Sequence, residues 1–374
     1  MNPVYDHDTP ATGMDERMDR TVWKLTSLVS GAAMLAALSL PARADDLTVV
    51  SFGGAYSEAQ KKSMIDPYVA EKGVNILFED YSGGVAEMAA QAESGNIQWD
   101  VVDIEAVDLE RACSEGYLEV IPQDILPPGD DGTPAAEDFY PASLSNECGV
   151  GIMFWSMIYA YNTETIKGGT PTTVADFFDT AKFPGKRALR KRPQGAMEWA
   201  LIADGVPKDE VYDVLSTDEG QARAFAKLST IKDDIVFYDS WSQAPQLLND
   251  GGAVMAQVAN GRIFSAIKEE NRPFVMVWDN NLYDQDVWAV MKGTPRLEQA
   301  LDFVAFATGT KAVAGMQDVA YGPSRKSAMA LVDPAIAKDL PTAHIEEGLS
   351  GDGLFWADYG ETLGEKFNQW LLTD

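Results

Sequence analysis

The stretch LTVVSFGGAYSEAQKKSMIDPYV, Leu47–Val69, joins an apolar strand directly to a helical pattern through two glycines. Glycine allows the backbone to bend tightly or to approach another group closely. Phe52 and Tyr56 flank Gly53 and Gly54, so their rings either pack in the core or line a ligand site. The stretch therefore predicts a strand–helix unit with a candidate binding turn at its junction.

The same alternation recurs along the chain. Strands are predicted over 74–81 and 99–105, and helical patterns follow them over 85–94 and 106–115. Alternating strands and helices are typical of a parallel sheet with helices on both faces. Because ligands bind beyond the carboxyl ends of such strands, the turn 52–56 lies where an open α/β sheet has its cleft.

Three further apolar runs predict how the chain is divided into lobes. VGIMFWSMIYAYN, 150–162, is much longer than an ordinary strand of about 5–6 residues. A strand that leaves one sheet and enters another would have this length. PFVMVWD, 273–279, is predicted to be a separate strand, and DVWAVM, 286–291, to cross back. The sequence therefore predicts two α/β lobes joined by crossing strands.

The beginning of the chain has the pattern of an export signal. Arg20 and Lys24 precede the apolar stretch LTSLVSGAAMLAALSL, 25–40, and Ala42-Arg43-Ala44 has the small-x-small pattern of a cleavage site. We expect residues 1–44 to be a signal peptide with an N-terminal extension, cleaved after Ala44.

Composition narrows the classes of function. The 374 residues carry a formal net charge of −29, which opposes nucleic-acid binding, since phosphate contacts need a basic surface. Cys113 and Cys148 are the two cysteines, and in an exported protein such a pair indicates a disulfide, with two buried free thiols as the alternative. His344 is the one histidine beyond the predicted cleavage site, so zinc sites and His-based triads have few candidate residues. We expect no cofactor and no metal.

The order of several motifs carries a resemblance to a known family. The motifs are SFGGAY, WDVVDIEAVDLERACSEGYLE, GVGIMFWSMIYAYN, TVADFFDTAKFPGKRALRK, SQAPQLLNDGGAVMAQVANGR, DVWAVMKGTPRLEQALDFVAFATG and AYGPSRKSA. Together they resemble the periplasmic solute-binding components of ABC importers (extracellular solute-binding family 1), in the branch of spermidine/putrescine-binding proteins.

The resemblance covers residues 45–374 and implies a type II periplasmic binding protein-like fold. One lobe would comprise 45–155 with 287–330, and the other 156–286 with 331–374. It further implies a monomeric periplasmic protein that is not an enzyme. Its partners would be a small cationic or zwitterionic solute and the permease and ATPase subunits at the inner membrane.

Two positions match the polyamine binders of the family directly. Their amine-binding acid corresponds to Asp286 in DQDVWAV, with Asp284 beside it, and their cleft tyrosine corresponds to Tyr321 in AYGPS. An ammonium favours carboxylate acceptors and aromatic faces. The alternative for Asp286 is a helix or strand cap, and for Tyr321 it is core packing.

Elsewhere the chain departs from those relatives. Phe52-Gly53-Gly54-Ala55-Tyr56 replaces an acid-bearing stretch, so the glycine N–H groups are expected to bind an anion or carbonyl while Tyr56 flanks the ligand. Glu105 is a candidate amine ligand or, alternatively, a loop acid or N-cap.

The start of the second lobe also differs. Where the relatives have acids, this chain has Arg190 and Arg192, which suit a ligand carboxylate or, alternatively, form a solvated basic turn. Trp241 either supplies the aromatic ring that is missing at Ala259 or belongs to the core.

These residues predict capture of a polyamine such as putrescine or spermidine. The mixed charges leave an ω-amino acid such as γ-aminobutyrate as the alternative. A secreted hydrolase using paired carboxylates and a tyrosine-based Fe(III) binder are the remaining hypotheses.

Overall fold

The computed structural model describes residues 46–372, so the predicted signal segment and its cleavage site lie outside the described residues. None of the helices in this range combines the length and the apolar character that a membrane span requires. The strands are β1 (Leu47–Ser51), β2 (Ile76–Asp80), β3 (Val101–Glu105), β4 (Gly149–Asn162), β5 (Arg187–Arg190), β6 (Ile235–Tyr238), β7 (Met255–Ala259), β8 (Phe274–Val290), β9 (Gly322–Pro323) and β10 (Leu349–Ser350).

The helices alternate with these strands. They are α1 (Gly54–Gln60), which continues through a π-helical segment (Lys61–Ile65) into α2 (Asp66–Lys72), then α3 (Ala86–Ser94), α4 (Ala106–Ser114), α5 (Ala135–Asp138), α6 (Val174–Phe178), α7 (Ala196–Ala203), α8 (Val211–Leu215), α9 (Asp218–Ser229), α10 (Gln243–Asn249), α11 (Asn260–Glu270), α12 (Leu297–Ala307), α13 (Thr310–Ala314) and α14 (Gly353–Leu371). Short 3-10 turns occupy Gln123–Ile125, Pro141–Leu144, Lys208–Glu210, Lys232–Asp234, Gly315–Val319, Ser327–Leu331, Ala337–Asp339, Pro341–Ala343 and Ile345–Glu347.

The main strands form one sheet in the order β2-β1-β3-β8-β4-β7-β5-β6. The strands β1, β2 and β3 pair in parallel, and so do β5, β6 and β7. Between these two parallel groups, β8 and β4 run antiparallel to each other and to their outer neighbours. This arrangement confirms the prediction of two α/β lobes joined by crossing strands.

The crossing strands differ from the prediction in one respect. The runs 273–279 and 286–291 were expected to be separate strands, whereas β8 is continuous over Phe274–Val290. After a register shift between Val277 and Leu282, the intervening residues 282–285 stay in the sheet because they pair with β4, as in Met157 with Leu282 and Trp155 with Asp284. Tertiary pairing therefore overrides the low strand propensity of this segment.

A disulfide and the last helix add to the packing around this sheet. Cys113 and Cys148 form a disulfide with a Cα–Cα distance of 5.8 Å, as predicted, and it joins the end of α4 to the residue before β4. The helix α14 buries Phe355, Trp356 and Phe367 in the core.

The opening turn has a defined geometry. The helix α1 starts at Gly54, the second glycine of the turn. Gly53 and Gly54 have φ values of 71° and 61°, which residues other than glycine rarely adopt. A Cβ on Gly53 would lie 2.5 Å from Asp80 Oδ2, and one on Gly54 would lie 2.7 Å from Arg262 Nη1. The two glycines therefore allow both the turn and the close approach of two charged side chains.

Candidate functional site

The predicted site residues converge where the two lobes meet. We call this group the interlobe cluster. It contains the predicted residues Phe52, Gly53, Gly54, Tyr56, Glu105, Arg190, Arg192, Trp241, Asp286 and Tyr321, together with Asp103, Asp108 and Arg262. The carboxyl ends of β1 and β3 bring residues from one lobe, and the end of β5 brings residues from the other.

One half of the cluster is internally paired. Glu105, at the end of β3, accepts hydrogen bonds from Arg190 Nη1 at 2.6 Å and Arg192 Nη1 at 2.9 Å. Trp241 Nε1 donates to the same carboxylate at 3.1 Å, and the Arg190 guanidinium lies 4.2 Å from the Trp241 ring. Arg192 also donates to Asp108 at 2.7 Å. Burial alone would raise the pKa of Glu105, but the two guanidinium groups hold it below its usual value.

The other half contains a buried arginine with different partners. Arg262, in the first turn of α11, donates to the carbonyl oxygen of Gly53 and, at 3.1 Å, to that of Phe52. Within residues 46–372 its hydrogen-bond partners are therefore backbone carbonyls, and its Nε atom has none. The guanidinium lies 5.8 Å from the centroid of the Tyr56 ring. Burial lowers the pKa of Arg262 because the surroundings disfavour its charged form.

Beside Arg262 lies a group of acids and tyrosines. The rings of Tyr56 and Tyr321 meet edge to face with their centroids 5.4 Å apart. Tyr56 Oη, Asp103 Oδ1 and Asp286 Oδ1 are shielded from solvent and have no hydrogen-bond partner within the described chain. Burial, followed by the negative charge of Asp103, raises the pKa of Asp286. The Tyr56 hydroxyl is close enough to both carboxyls to lower their pKa values, so the three atoms lie together. Such a group can accept a ligand group that donates hydrogen bonds.

The structure excludes several of the alternatives considered for these residues. Asp286 lies inside β8 opposite Glu105, so it is not a cap. Asp284 has that role instead, since it accepts the N–H of Val107 in the first turn of α4 at 3.3 Å. Glu105 is likewise buried and paired, with an exposed fraction of 4%, and is not an exposed loop acid.

The basic segment is also not a solvated turn. Arg190 is the last residue of β5 and is 2% exposed, whereas Lys191 faces solvent. The glycine turn differs from expectation as well, because the Gly53 N–H donates to Ser57 Oγ at 2.7 Å and is not free to bind an anion.

Each half of the cluster borders a cavity. A small one of about 30 Å³ is bordered by Glu105, Arg190 and Glu198, which leaves room for about two water molecules. Another, of about 240 Å³, is lined by Gly54 and Arg262. A cavity of about 420 Å³ lies next to the smallest one, and Asp284 borders both.

Glu198 belongs to this region and was not predicted. It accepts hydrogen bonds from the Gly195 N–H at 2.7 Å, from Tyr212 Oη at 3.2 Å and from Trp356 Nε1 at 3.1 Å. Burial raises its pKa to about 7. The contact with Gly195 is a local helix cap, whereas the side-chain partners come from α8 and α14 and follow from the tertiary fold alone.

Other residues missed by the sequence reasoning had weak signals. Asp103 stands two residues before Glu105 in a strand, so strand alternation alone places both on one face. Arg262 follows Asn260-Gly261 at the helix start, close to Ala259, where the resemblance implied an aromatic ring. Among the residues described, no cluster of His, Cys, Asp and Glu has a metal-binding arrangement.

Comparison with known proteins defines the class. Residues 63–342 match the family described as bacterial extracellular solute-binding protein. The chain belongs to this family, whose members bind small solutes for ABC importers. This membership confirms the family-level resemblance, supports an extracytoplasmic location and is consistent with a protein that is not an enzyme.

Individual relatives are more specific. The chain is 40% identical over 338 residues to the gamma-aminobutyric acid-binding protein of Pseudomonas aeruginosa, covering 89% of this chain and 93% of that protein. The solved structure of the Atu4243 GABA receptor is 32% identical, with a TM-score of 0.76, and the match covers 88% of this chain and 98% of that one. The binding protein MotA of Agrobacterium tumefaciens B6, solved with glucopine, is 30% identical, with a TM-score of 0.81 and coverage of 88% and 100%. These relatives do not support assignment to the polyamine branch.

Proposed function

We propose that this chain captures an ω-amino acid of the γ-aminobutyrate type in the interlobe cluster and presents it unaltered to an ABC permease. This is the alternative raised from the sequence, and it replaces the polyamine as the preferred solute. The observation that carries it is a buried guanidinium without a carboxylate partner, Arg262, in the same cluster as an unpaired acid, Asp286.

The carboxylate of the solute is assigned to Arg262. Its charge is buried, and backbone carbonyls compensate it only partly, so a carboxylate would gain a charge-assisted hydrogen bond there. Arg190 and Arg192 were the candidates from the sequence, but Glu105 and Asp108 already neutralise them. A ligand carboxylate at these two arginines would have to compete with contacts that exist without it.

The ammonium group is assigned to Asp286. Its Oδ1 atom has no partner within the described residues, and the aromatic rings of Tyr56 and Tyr321 lie in the same group. A diamine would fit less well, because its second ammonium would approach the positive charge of Arg262. An unpaired cation and an unpaired acid in the same cluster therefore favour a zwitterion.

Binding of this kind would stabilise the closed arrangement of the lobes. Arg262 belongs to 156–286, whereas Tyr56 and Tyr321 belong to 45–155 with 287–330, so one short ligand beside these rings would contact both lobes. Ligand contacts that exist only in one state shift the equilibrium toward that state. The division into 45–155 with 287–330 and 156–286 with 331–374, hinged at β4 and β8, is part of this proposal.

A thermal-shift panel with γ-aminobutyrate, putrescine and butyrate tests the proposal on the wild-type protein. Binding to the native state adds RT ln(1 + [L]/Kd), about 2.7 kcal/mol at a hundredfold excess over Kd. We expect γ-aminobutyrate to raise the melting temperature strongly, while butyrate and putrescine have little effect. A shift with putrescine alone would restore the polyamine prediction, and no shift with any of them would contradict the proposal.

A pair of variants on one strand locates the site. Asp286→Asn removes the charge assigned to the ammonium and should abolish the shift. Asp279→Asn is the matched control, since Asp279 also lies on β8 but accepts the N–H of Val174 at 2.8 Å away from the cluster. An unchanged shift in the Asp286→Asn protein would place the amine elsewhere.

A further inference from the structure

Asp103 and Asp286 form a pair of buried acids whose role the proposed solute does not fully explain. Their exposed fractions are 0% and 5%. Asp103 Oδ2 accepts hydrogen bonds from Ser51 Oγ at 2.9 Å and Gln60 Nε2 at 2.6 Å, which fixes the orientation of the carboxylate. Its Oδ1 atom, like Asp286 Oδ1 and Tyr56 Oη, has no partner within residues 46–372.

The surroundings supply little compensating charge. The titratable and charged groups facing the pair are Tyr56, Tyr81, Glu105, Arg262, Asp284 and Tyr321. Arg262 is the cation of this set, but its guanidinium donates to backbone carbonyls. The charge of Glu105 is already paired with Arg190 and Arg192.

Two neighbouring carboxyl groups that are buried without a cation partner disfavour each other's ionised form. Burial raises the pKa of Asp103 and of Asp286, and their mutual repulsion raises that of Asp286 further. When two acids interact strongly, the proton belongs to the pair rather than to either residue. The ligand-free pair is therefore expected to carry one proton at neutral pH.

We propose that Asp103 is a second acid of the ammonium subsite and that the ligand's ammonium displaces a proton which Asp103 and Asp286 share in the empty protein. The inference rests on the proposed function. The ammonium enters with its charge, the pair becomes fully ionised, and the released proton passes to solvent. The carboxylate oxygens Asp103 Oδ1 and Asp286 Oδ1 can each accept an N–H of a primary ammonium group, and the Tyr56 hydroxyl oxygen beside them is a further acceptor.

The exchange has a consequence with a definite sign. Because binding releases a proton, affinity rises with pH wherever the empty pair is protonated, by up to about tenfold per pH unit. A ligand of the same length with a hydroxyl in place of the ammonium, γ-hydroxybutyrate, brings no positive charge and should release no proton. Asp103 thereby makes the site selective for a charged amine.

Isothermal titration calorimetry tests this directly. Wild-type protein is titrated with γ-aminobutyrate at one pH near neutrality in phosphate and in Tris, whose ionisation enthalpies differ, and the difference in binding enthalpy counts the protons released. We expect close to one proton with γ-aminobutyrate and none with γ-hydroxybutyrate. Asp103→Asn should reduce the release to near zero, flatten the pH dependence of Kd and weaken binding at least tenfold.

Asp100→Asn is the matched control. Asp100 lies just before β3, is equally buried and is paired with Arg296 at 3.2 Å, away from the ligand. This substitution should lower stability and leave the proton count unchanged. The wild-type measurement needs no variant, so it decides the matter even if Asp103→Asn fails to fold.

The outcomes separate the two proposals. Tight binding of γ-aminobutyrate without proton release, or full release in Asp103→Asn, would overturn the inference and leave the proposed function standing. Absence of γ-aminobutyrate binding would overturn the proposed function and the inference with it.

Discussion

Glu105 and Asp286 face each other across β3 and β8, and both are buried, yet their surroundings differ completely. Two guanidinium groups and an indole N–H surround Glu105. Asp286 has an oxygen without a partner in the described chain, and burial together with Asp103 raises its pKa. The comparison separates acids whose partners are supplied by the protein from acids whose partner a ligand can supply.

The paired half links the lobes without any ligand. Glu105 is the last residue of β3, and Asp108 lies just after it in α4. Their partners in the other lobe are Arg190, the last residue of β5, and Arg192, which lies just after it. A buried ion pair contributes little net stability, because desolvation opposes the attraction. Its expected effect is on geometry, since it fixes how the lobes meet.

The largest effect is expected from replacing the unpaired arginine. Arg262→Gln keeps hydrogen-bond donors for the Gly53 and Phe52 carbonyls but removes the charge. Loss of one partner from a buried ion pair costs about 3–5 kcal/mol, so γ-aminobutyrate should bind on the order of 100-fold or more weakly. Calorimetric Kd values for wild type and variant measure the change.

Arg192→Gln is the control from the paired half and should weaken binding far less, because Glu105 and Asp108 already neutralise Arg192. Equal losses of affinity in the two variants would contradict the distinction between the unpaired and the paired arginine. They would then restore the sequence-based prediction that Arg190 and Arg192 hold the carboxylate.

The fold was largely predictable because its signals are local. Each strand–helix unit has its own apolar pattern, and the unusual length of β4 indicated a crossing between lobes. The continuity of β8 was not predictable, because its middle residues stay in the sheet only through pairing with β4 and β10.

The site was predictable in its members but not in its pairing. Arg190 and Glu105 are separated by 85 positions, so their contact follows from the tertiary fold alone. The sequence identified Arg190, Arg192 and Asp286 as charged candidates, but it could not show which charges compensate one another. For the same reason it missed Arg262, whose distinguishing feature is the lack of a carboxylate partner among the described residues.

An intermediate effect is expected from breaking the paired half. Glu105→Gln removes the charge that both guanidinium groups share, so the ligand-free protein should populate more open states. Apparent affinity falls in proportion to the binding-competent fraction, and we expect a loss of about tenfold for γ-aminobutyrate. Small-angle scattering of the ligand-free protein should show a larger radius of gyration.

Glu119→Gln is the matched control, because Glu119 pairs with Lys292 at 2.7 Å within one lobe. It should change neither the scattering nor the affinity. If Glu105→Gln behaves in the same way as this control, the ion pairs do not influence closure.

The smallest effect concerns a third kind of buried acid, one satisfied by hydrogen-bond donors and a proton rather than by a cation. Burial raises the pKa of Glu198 from its usual value of 4.5 to about 7, so the folded protein keeps a proton there that the unfolded chain releases above pH 4.5. Stability should therefore fall as the pH rises across that window. Asp284, whose pKa burial raises to about 8, contributes with the same sign. We expect the melting temperature to fall by a few degrees between pH 5 and pH 7.5, at about 2–4 °C per kcal/mol.

Glu198→Gln should reduce this dependence of the melting temperature on pH, whereas Glu210→Gln, at an exposed acid nearby, should not. A slope that is identical in all three proteins would show that Glu198 is ionised in the folded state, and that its three donors compensate the charge as fully as the guanidinium groups compensate Glu105.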